Sequence, residues 1–203
     1  MKAETQVVSV LIITGIVIAL IGAAYFWSKP LIDKRSSLVQ FDSAGQFMKK
    51  LDEKIIQMAK SCMSSCQDRL GIPSGMSVRV IPDGAAADNN SIILSFVTNQ
   101  RMIMNVTVPL NTNNIEEVAP YGETHGVITL SERMSGPYVV EHKLHYRELD
   151  NSDEPYRGYK IVLSSGTGTG TSEMVIRYAG SDTSGTAMNG GPLDVVRIEV
   201  FVV

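Results

Sequence analysis

The residues best suited to nucleophilic, acid–base or metal chemistry in this chain are His125, His142, His145, Cys62 and Cys66. His142 and His145 stand three apart on a segment that reads as a strand, so their side chains face opposite sides. That spacing serves neither a zinc pair nor a catalytic relay. Ser165 to Thr171 reads S-G-T-G-T-G-T, but a phosphate loop precedes a helix and supplies a lysine, and neither is present. It reads as a flexible hairpin tip whose hydroxyls could carry O-linked sugar. Glu148, Asp150, Asn151, Asp153 and Glu154 cluster ahead of Pro155. Calcium takes 6–8 oxygens, yet the glycine and distal glutamate of an EF-hand loop are missing, which leaves a solvated turn. No G-x-S-x-G, H-E-x-x-H or paired-acid motif stands in a supporting context. The expectation is a protein without catalytic residues, metal or cofactor.

Cys62 and Cys66 are the whole cysteine inventory. In an exported protein a C-x3-C pair invites a disulfide. On an intact helix, side chains at i and i+4 are about 5–6 Å apart at Cβ, whereas a disulfide needs roughly 3.5–4.5 Å. A bridge therefore requires the helix to end or distort near Cys66; the alternative is two small buried apolar residues.

The strongest positional signal lies at the start. Val7 to Trp27 is a run of 21 residues without a charge. At about 1.5 Å per residue it matches a hydrocarbon core of about 30 Å. It exceeds the usual h-region of a secretory signal, about 7–15 residues, and Tyr25-Phe26-Trp27 stands where an A-x-A cleavage site would follow. It holds no ionisable group that would suggest a channel or pump. Gly15, Ala19, Gly22 and Ala23 fall on one side of such a helix, a small-residue stripe that lets helices approach closely. Frequent Gly and Ala in membrane helices explain the same stripe without assembly.

Beyond Ser28-Lys29-Pro30, apolar residues recur at Phe47, Leu51, Ile55, Met58 and Cys62, one face of a helix. Lys49, Lys50, Asp52, Glu53, Lys54, Gln57 and Lys60 occupy the other side, which is solvated or faces a partner. Pro30 should kink or interrupt this helix, and Asp42-Ser43 or Gly45 offers a second weak point. Leu70-Gly71-Ile72-Pro73 predicts its end. Unbroken from residue 4 to 70, it would be a rod of about 100 Å.

From Met76 the period becomes two. Eight strands are expected: Met76–Val80, Ser91–Val97, Arg101–Val108, Gly126–Leu130, Tyr138–Leu149, Tyr159–Leu163, Met174–Tyr178 and Val195–Val202. The second and third should form a hairpin through Thr98-Asn99-Gln100. Strands without intervening helices indicate an antiparallel sheet or sandwich. The fold class is α+β. Residues 1–3 form a leader, 4–29 a hydrophobic helix, 30–71 its amphipathic continuation and 72–203 a β-rich head.

A net charge of −3 and a pI near 5.6 give no field for nucleic acid. Asn89-Asn90-Ser91 and Asn105-Val106-Thr107 have the form of N-glycosylation acceptors. Lys29, Lys34 and Arg35 follow the apolar run, and the positive-inside rule alone would keep the head in the cytoplasm. The acceptors, the cysteine pair and the polar strand-rich head favour an extracellular head.

Lys2-Ala3 followed by Glu4-Thr5, just ahead of a membrane-length helix that continues into a β head, resembles the archaeal type IV pilin-like proteins with a class III signal peptide. Glu116 to Glu123, E-E-V-A-P-Y-G-E, is similar to stretches of their heads. The resemblance implies that a prepilin peptidase removes Met1 to Ala3 and that the helix rests in membrane lipid. With the pilus assembly machinery, copies of the chain would then build a cell-surface filament for adhesion. The bacterial branch places a glutamate at the position of Val8 here, so its register pairing is not implied. An uncut leader would make the chain a single-pass anchored or minor pilin-like binding protein.

Overall fold

The computed structural model describes residues 2–62, 64–84, 89–98, 101–102, 107–134, 137–151, 157–164 and 169–203, with backbone alone at 2–9, 134 and 184. It is an α+β protein. Among the described residues one helix, α1 (Lys2–Ser61), is followed by twelve strands. These are β1 (Gln67–Gly71), β2 (Met76–Ile81), β3 (Ser91–Thr98), β4 (Val108–Pro109), β5 (Val118–Pro120) and β6 (Gly126–Met134). After them come β7 (Tyr138–Tyr146), β8 (Glu148–Asn151), β9 (Arg157–Leu163), β10 (Thr169–Gly170), β11 (Glu173–Thr186) and β12 (Pro192–Val202). The chain divides into two compact units, Met1–Val39 and Gln40–Val203.

The first unit is helix alone. Pro30 lies inside α1 without ending it, and neither Asp42-Ser43 nor Gly45 starts a new helix. This corrects the interruption expected from those residues. The flanking residues are good helix formers, and from Ala44 onward tertiary packing holds the backbone whatever the local preference.

In the second unit, Ala44, Phe47, Met48, Leu51, Ile55 and Met58 of α1 are buried. They recur at three and four residues, the spacing of one helix face. The end of α1 differs from the sequence reading: the helix stops at Ser61, and Gln67–Gly71 is strand β1 rather than its last turns. The Cys62 amide closes the final turn on the Met58 carbonyl at 3.0 Å, and β1 pairs with β11 from Gln67↔Arg177 onward. A ladder partner more than a hundred residues away thus overrides the local Gly-Pro stop signal.

Among the described residues of this unit the strands form two six-stranded sheets. The first runs β1-β11-β12-β9-β8-β5 and the second β10-β2-β3-β7-β6-β4. All pairs of the second sheet are antiparallel. The first is mixed, because β12 pairs with β9, and β5 with β8, in parallel. The antiparallel arrangement expected from the sequence is corrected to that extent. The expected hairpin between the second and third strands is also corrected. β3 has β2 on one side and β7 on the other, leaving no edge for Arg101–Val108. Residues 99, 100 and 103–106 lie outside the described residues. Val108–Pro109 pairs instead with Leu130 and Thr129 of β6.

One core cluster joins all three layers, taking Leu51 and Ile55 from α1, Leu94 and Leu144 from the second sheet, and Ile161, Ile176 and Ile198 from the first. Each is fully buried. At roughly 25 cal/mol per Å² of apolar surface, this shared burial is the main favourable contribution to holding helix and sheets together.

Candidate functional site

From Val10 to Val39 the large apolar residues of α1 are exposed. Leu11, Ile12, Ile16, Ile18, Leu20 and Ile21 all stand open, and Phe26 and Trp27 are 81% and 80% exposed. Among the described residues this is one helix long and apolar enough to cross a membrane. Its most apolar 18-residue window has a mean hydropathy of 2.4, and none of that window is buried. Gly15, Ala19, Gly22 and Ala23 lie in it, and a Cβ added at Gly15 or Gly22 would meet nothing within 4 Å. Lys2, Ala3, Glu4 and Thr5 belong to the first turns of α1, where only the backbone is described.

Cys62 and Cys66 are joined in a disulfide with Cα atoms 6.1 Å apart. Because α1 stops at Ser61, the two cysteines are not held at the i, i+4 spacing of a helix, which would keep the sulfurs apart. Lys54 pairs with Asp68 just beyond, and that ammonium holds the Asp68 carboxyl below its ordinary value.

The three histidines are scattered. Along β7 the alternation turns His142 inward and His145 outward. His142 is fully buried between Phe41 and Phe96, with ring centroids at 5.5 and 6.1 Å. Neither of its nitrogens has a hydrogen-bond partner among the described residues, and burial pushes its pKa down to about 4. His125 lies against the Tyr159 ring at 4.8 Å and is likewise lowered to about 4, by burial and then by Lys60 and Arg147. Both imidazoles are held toward the neutral form, His142 in the core and His125 half-buried at its margin.

The acid cluster is not a free turn. Glu148, Asp150 and Asn151 form β8, where Glu148 accepts the Met188 amide at 2.7 Å and Asp150 the Asn189 amide at 3.1 Å. The Asn151 carbonyl accepts from the Asn189 side chain at 2.9 Å. These carboxylates fasten the turn between β11 and β12. Asp153 and Glu154 lie outside the described residues. Among the described residues no His, Cys, Asp and Glu side chains gather in a way that could hold a metal ion.

Asp52, assigned to the solvated or partner-facing side of α1 by the sequence, is instead buried at 8% exposure. It flanks the Met48–Leu51–Ile55 stripe and faces Gly126, whose missing side chain makes the room. Burial raises its pKa to about 6, an effect partly offset by the Tyr146 hydroxyl and reinforced by Glu53. The Tyr146 hydroxyl, fully buried beside Asp52, is pushed well above the ordinary tyrosine value.

A second buried charge organises the loop ahead of β6. The fully buried Arg147 donates to the carbonyls of Asn114, Glu116 and Thr124, at 3.0, 3.3 and 3.1 Å. It also pairs with Glu123 at 2.8 Å. Glu117, held on that loop, reaches His145 Nε2 at 2.8 Å while His145 Nδ1 lies 2.8 Å from the Asn89 carbonyl. Both partners are acceptors, so the imidazole N–H can donate to either of them.

Cavities of about 380 and 280 Å³ flank this bridge and share Glu117, Lys143 and His145. Asp83 and Lys160, paired at 3.1 Å, line the larger one. Sequence reasoning missed this cleft, because its residues come from separate loops and strands and no short motif joins them. Of the two glycosylation acceptors, Asn89 lines the larger cavity, with its side-chain oxygen buried and Ser91 fully buried in β3. Asn105 lies outside the described residues. Compared with protein-family models, curated protein sequences and solved structures, the chain matches none.

Proposed function

We propose that this chain is a type IV pilin-like structural subunit, held in a membrane by the first part of α1 and polymerising through it, with the Gln40–Val203 unit displayed outside the cell. The observation that carries this reading is the run of exposed apolar residues from Val10 to Val39 on a helix whose later turns are built into a separately cored β domain. Lipid satisfies such a surface before assembly. Neighbouring helices satisfy it afterwards, and small residues allow their close approach. Lys2-Ala3 ahead of Glu4 supports removal of the first three residues by a prepilin peptidase. In this reading the head serves adhesion or surface contact.

The test is mass analysis of the native protein in membrane and sheared fractions. The expected result is a chain beginning at Glu4, present in sheared filaments, and blocked in both respects by Ala3→Trp. Full retention of an intact Met1 in membranes, with nothing in the sheared fraction, overturns it. The polar cleft beside His145 favours a second reading, an anchored binding protein that never polymerises. That protein would stay wholly in the membrane fraction.

A further inference from the structure

We propose that the cleft around the Glu117–His145 bridge binds a neutral saccharide of at least two rings. The two cavities lie on either side of that bridge, and the larger falls within the range typical of small-molecule sites, about 300–1,000 Å³. A ligand touching Glu117 and His145 from both sides must be longer than one ring.

The lining selects its chemistry. Around the larger cavity Asp83, Glu117 and Glu148 face Lys143, Arg147 and Lys160, with the His145 imidazole among them, so carboxylates and permanent cations balance. A phosphate or other anion would meet the carboxylates, and a cation would meet the bases. A neutral polyol uses both: its hydroxyls donate to carboxylates and its oxygens accept from ammonium and imidazole groups. The smaller cavity adds the Thr129 and Ser131 hydroxyls beside Ile93, Ile115 and Val127. Ile115 is 61% exposed there, and at the larger cavity Met188 is 77% exposed. These apolar surfaces suit the C–H face of a sugar ring.

An extended peptide is the weaker fit. Peptides that add to a sheet need an open strand edge. Here β3 and β7 are paired on both sides, β6 pairs with β4 on its outer side, and β5, the edge strand whose Val118 lines the larger cavity, is only three residues long. The Asn111 side chain donates to the Gly126 carbonyl at 2.6 Å and accepts the Ile128 amide at 2.8 Å, while the Leu110 amide donates to the Ile128 carbonyl at 2.8 Å. Recognition at this face therefore falls to side chains. The inference does not depend on filament assembly, and either can fail without the other.

The test uses the full chain in lipid nanodiscs, free of glycosidic detergent, titrated with maltose, cellobiose, lactose and diacetylchitobiose by calorimetry. Glucose, inorganic phosphate and a mixed peptide library are the comparison ligands. The expected result is saturable binding of at least one disaccharide, tighter than glucose and not displaced by phosphate. It should weaken roughly tenfold in Glu117→Gln and in Ile115→Ser, both at exposed side chains, with thermal unfolding unchanged. No saturable disaccharide binding, binding equal in the two variants and the parent, or preference for phosphate or peptide overturns the proposal.

Discussion

The Asn90 side chain ties the two sheets together: its Oδ1 accepts the backbone amide of Leu163 in β9 at 2.8 Å. Its Nδ2 donates to the carbonyls of Ile161 and of Tyr146 in β7, both at 2.8 Å. The residue is 1% exposed and adopts φ 51°, a left-handed conformation that asparagine tolerates better than most residues. Asn90→Ala should cost about 3 kcal/mol, since three buried backbone groups lose their partner. Asn90→Asp should be no better, because a carboxylate cannot donate to the two carbonyls. Urea unfolding monitored by circular dichroism measures both. A loss below about 1 kcal/mol in each, the size of one ordinary hydrogen bond, would show that the bridge is dispensable.

Stability should depend on pH through three buried groups with opposing signs. Asp52 has a folded pKa of about 6 against 3.8 ordinarily, so the native state binds the extra proton between those values. Its contribution therefore falls as pH rises from about 4 to 6. His125 and His142, lowered from 6.5 to about 4, bind fewer protons in the native state and make stability rise from about pH 4 to 6.5. Two rising contributions outweigh one falling, so the melting temperature should climb across this window. Asp52→Asn should climb more steeply and exceed the parent above pH 6 by on the order of 2 kcal/mol, the two converging near pH 4. Parallel melting curves for parent and variant would refute this account of Asp52.

Gly126 leaves no space for a side chain. An added Cβ would lie 2.7 Å from Leu144 Cδ1 and closer still to Asp52 Oδ1. Gly126→Ala should destabilise by about 1–3 kcal/mol through overpacking. Combining it with Asp52→Ala, which opens space at the same point, should recover part of the loss. Simple additivity in that double variant would show that the two residues do not compete for the same volume.

The Cys62–Cys66 bridge closes a very short loop, for which chain entropy predicts about 2 kcal/mol. Reduction, or Cys62→Ser with Cys66→Ser, should lower stability by that order and leave the sheets folded, because β1 is held independently by β11. Hydrogen exchange should locate the loosening in residues 58–66 and not in the core strands. Global unfolding on reduction contradicts this.

Gly15 and Gly22 offer a way to test the proposed assembly apart from folding. At neither residue does anything beyond the adjacent helix backbone lie within 4 Å of the place a Cβ would take, so Gly15→Leu and Gly22→Leu should leave the melting of the head and membrane extraction unchanged. If the helix packs against copies of itself, each should reduce sheared filaments at least several-fold by keeping helices apart. Normal filament yield from both would remove this face from the assembly surface.

The sequence alone determined what neighbouring residues can encode. The uncharged run from Val7 to Trp27, the period of Phe47, Leu51, Ile55 and Met58, and the alternation along Tyr138–Tyr146 are local patterns, and each appears as helix or strand of the corresponding kind. The tertiary structure decided everything that depends on a distant partner. Helix α1 ends at Ser61 because Gln67–Gly71 finds β11. Asp52 is buried because Gly126 leaves room opposite it, and the parallel pairings of β9 with β12 and β5 with β8 follow from the order in which strands meet. The cleft has the same origin: Glu117 meets His145 from a loop that Arg147 fastens, a relation between residues 28 positions apart that no local period records.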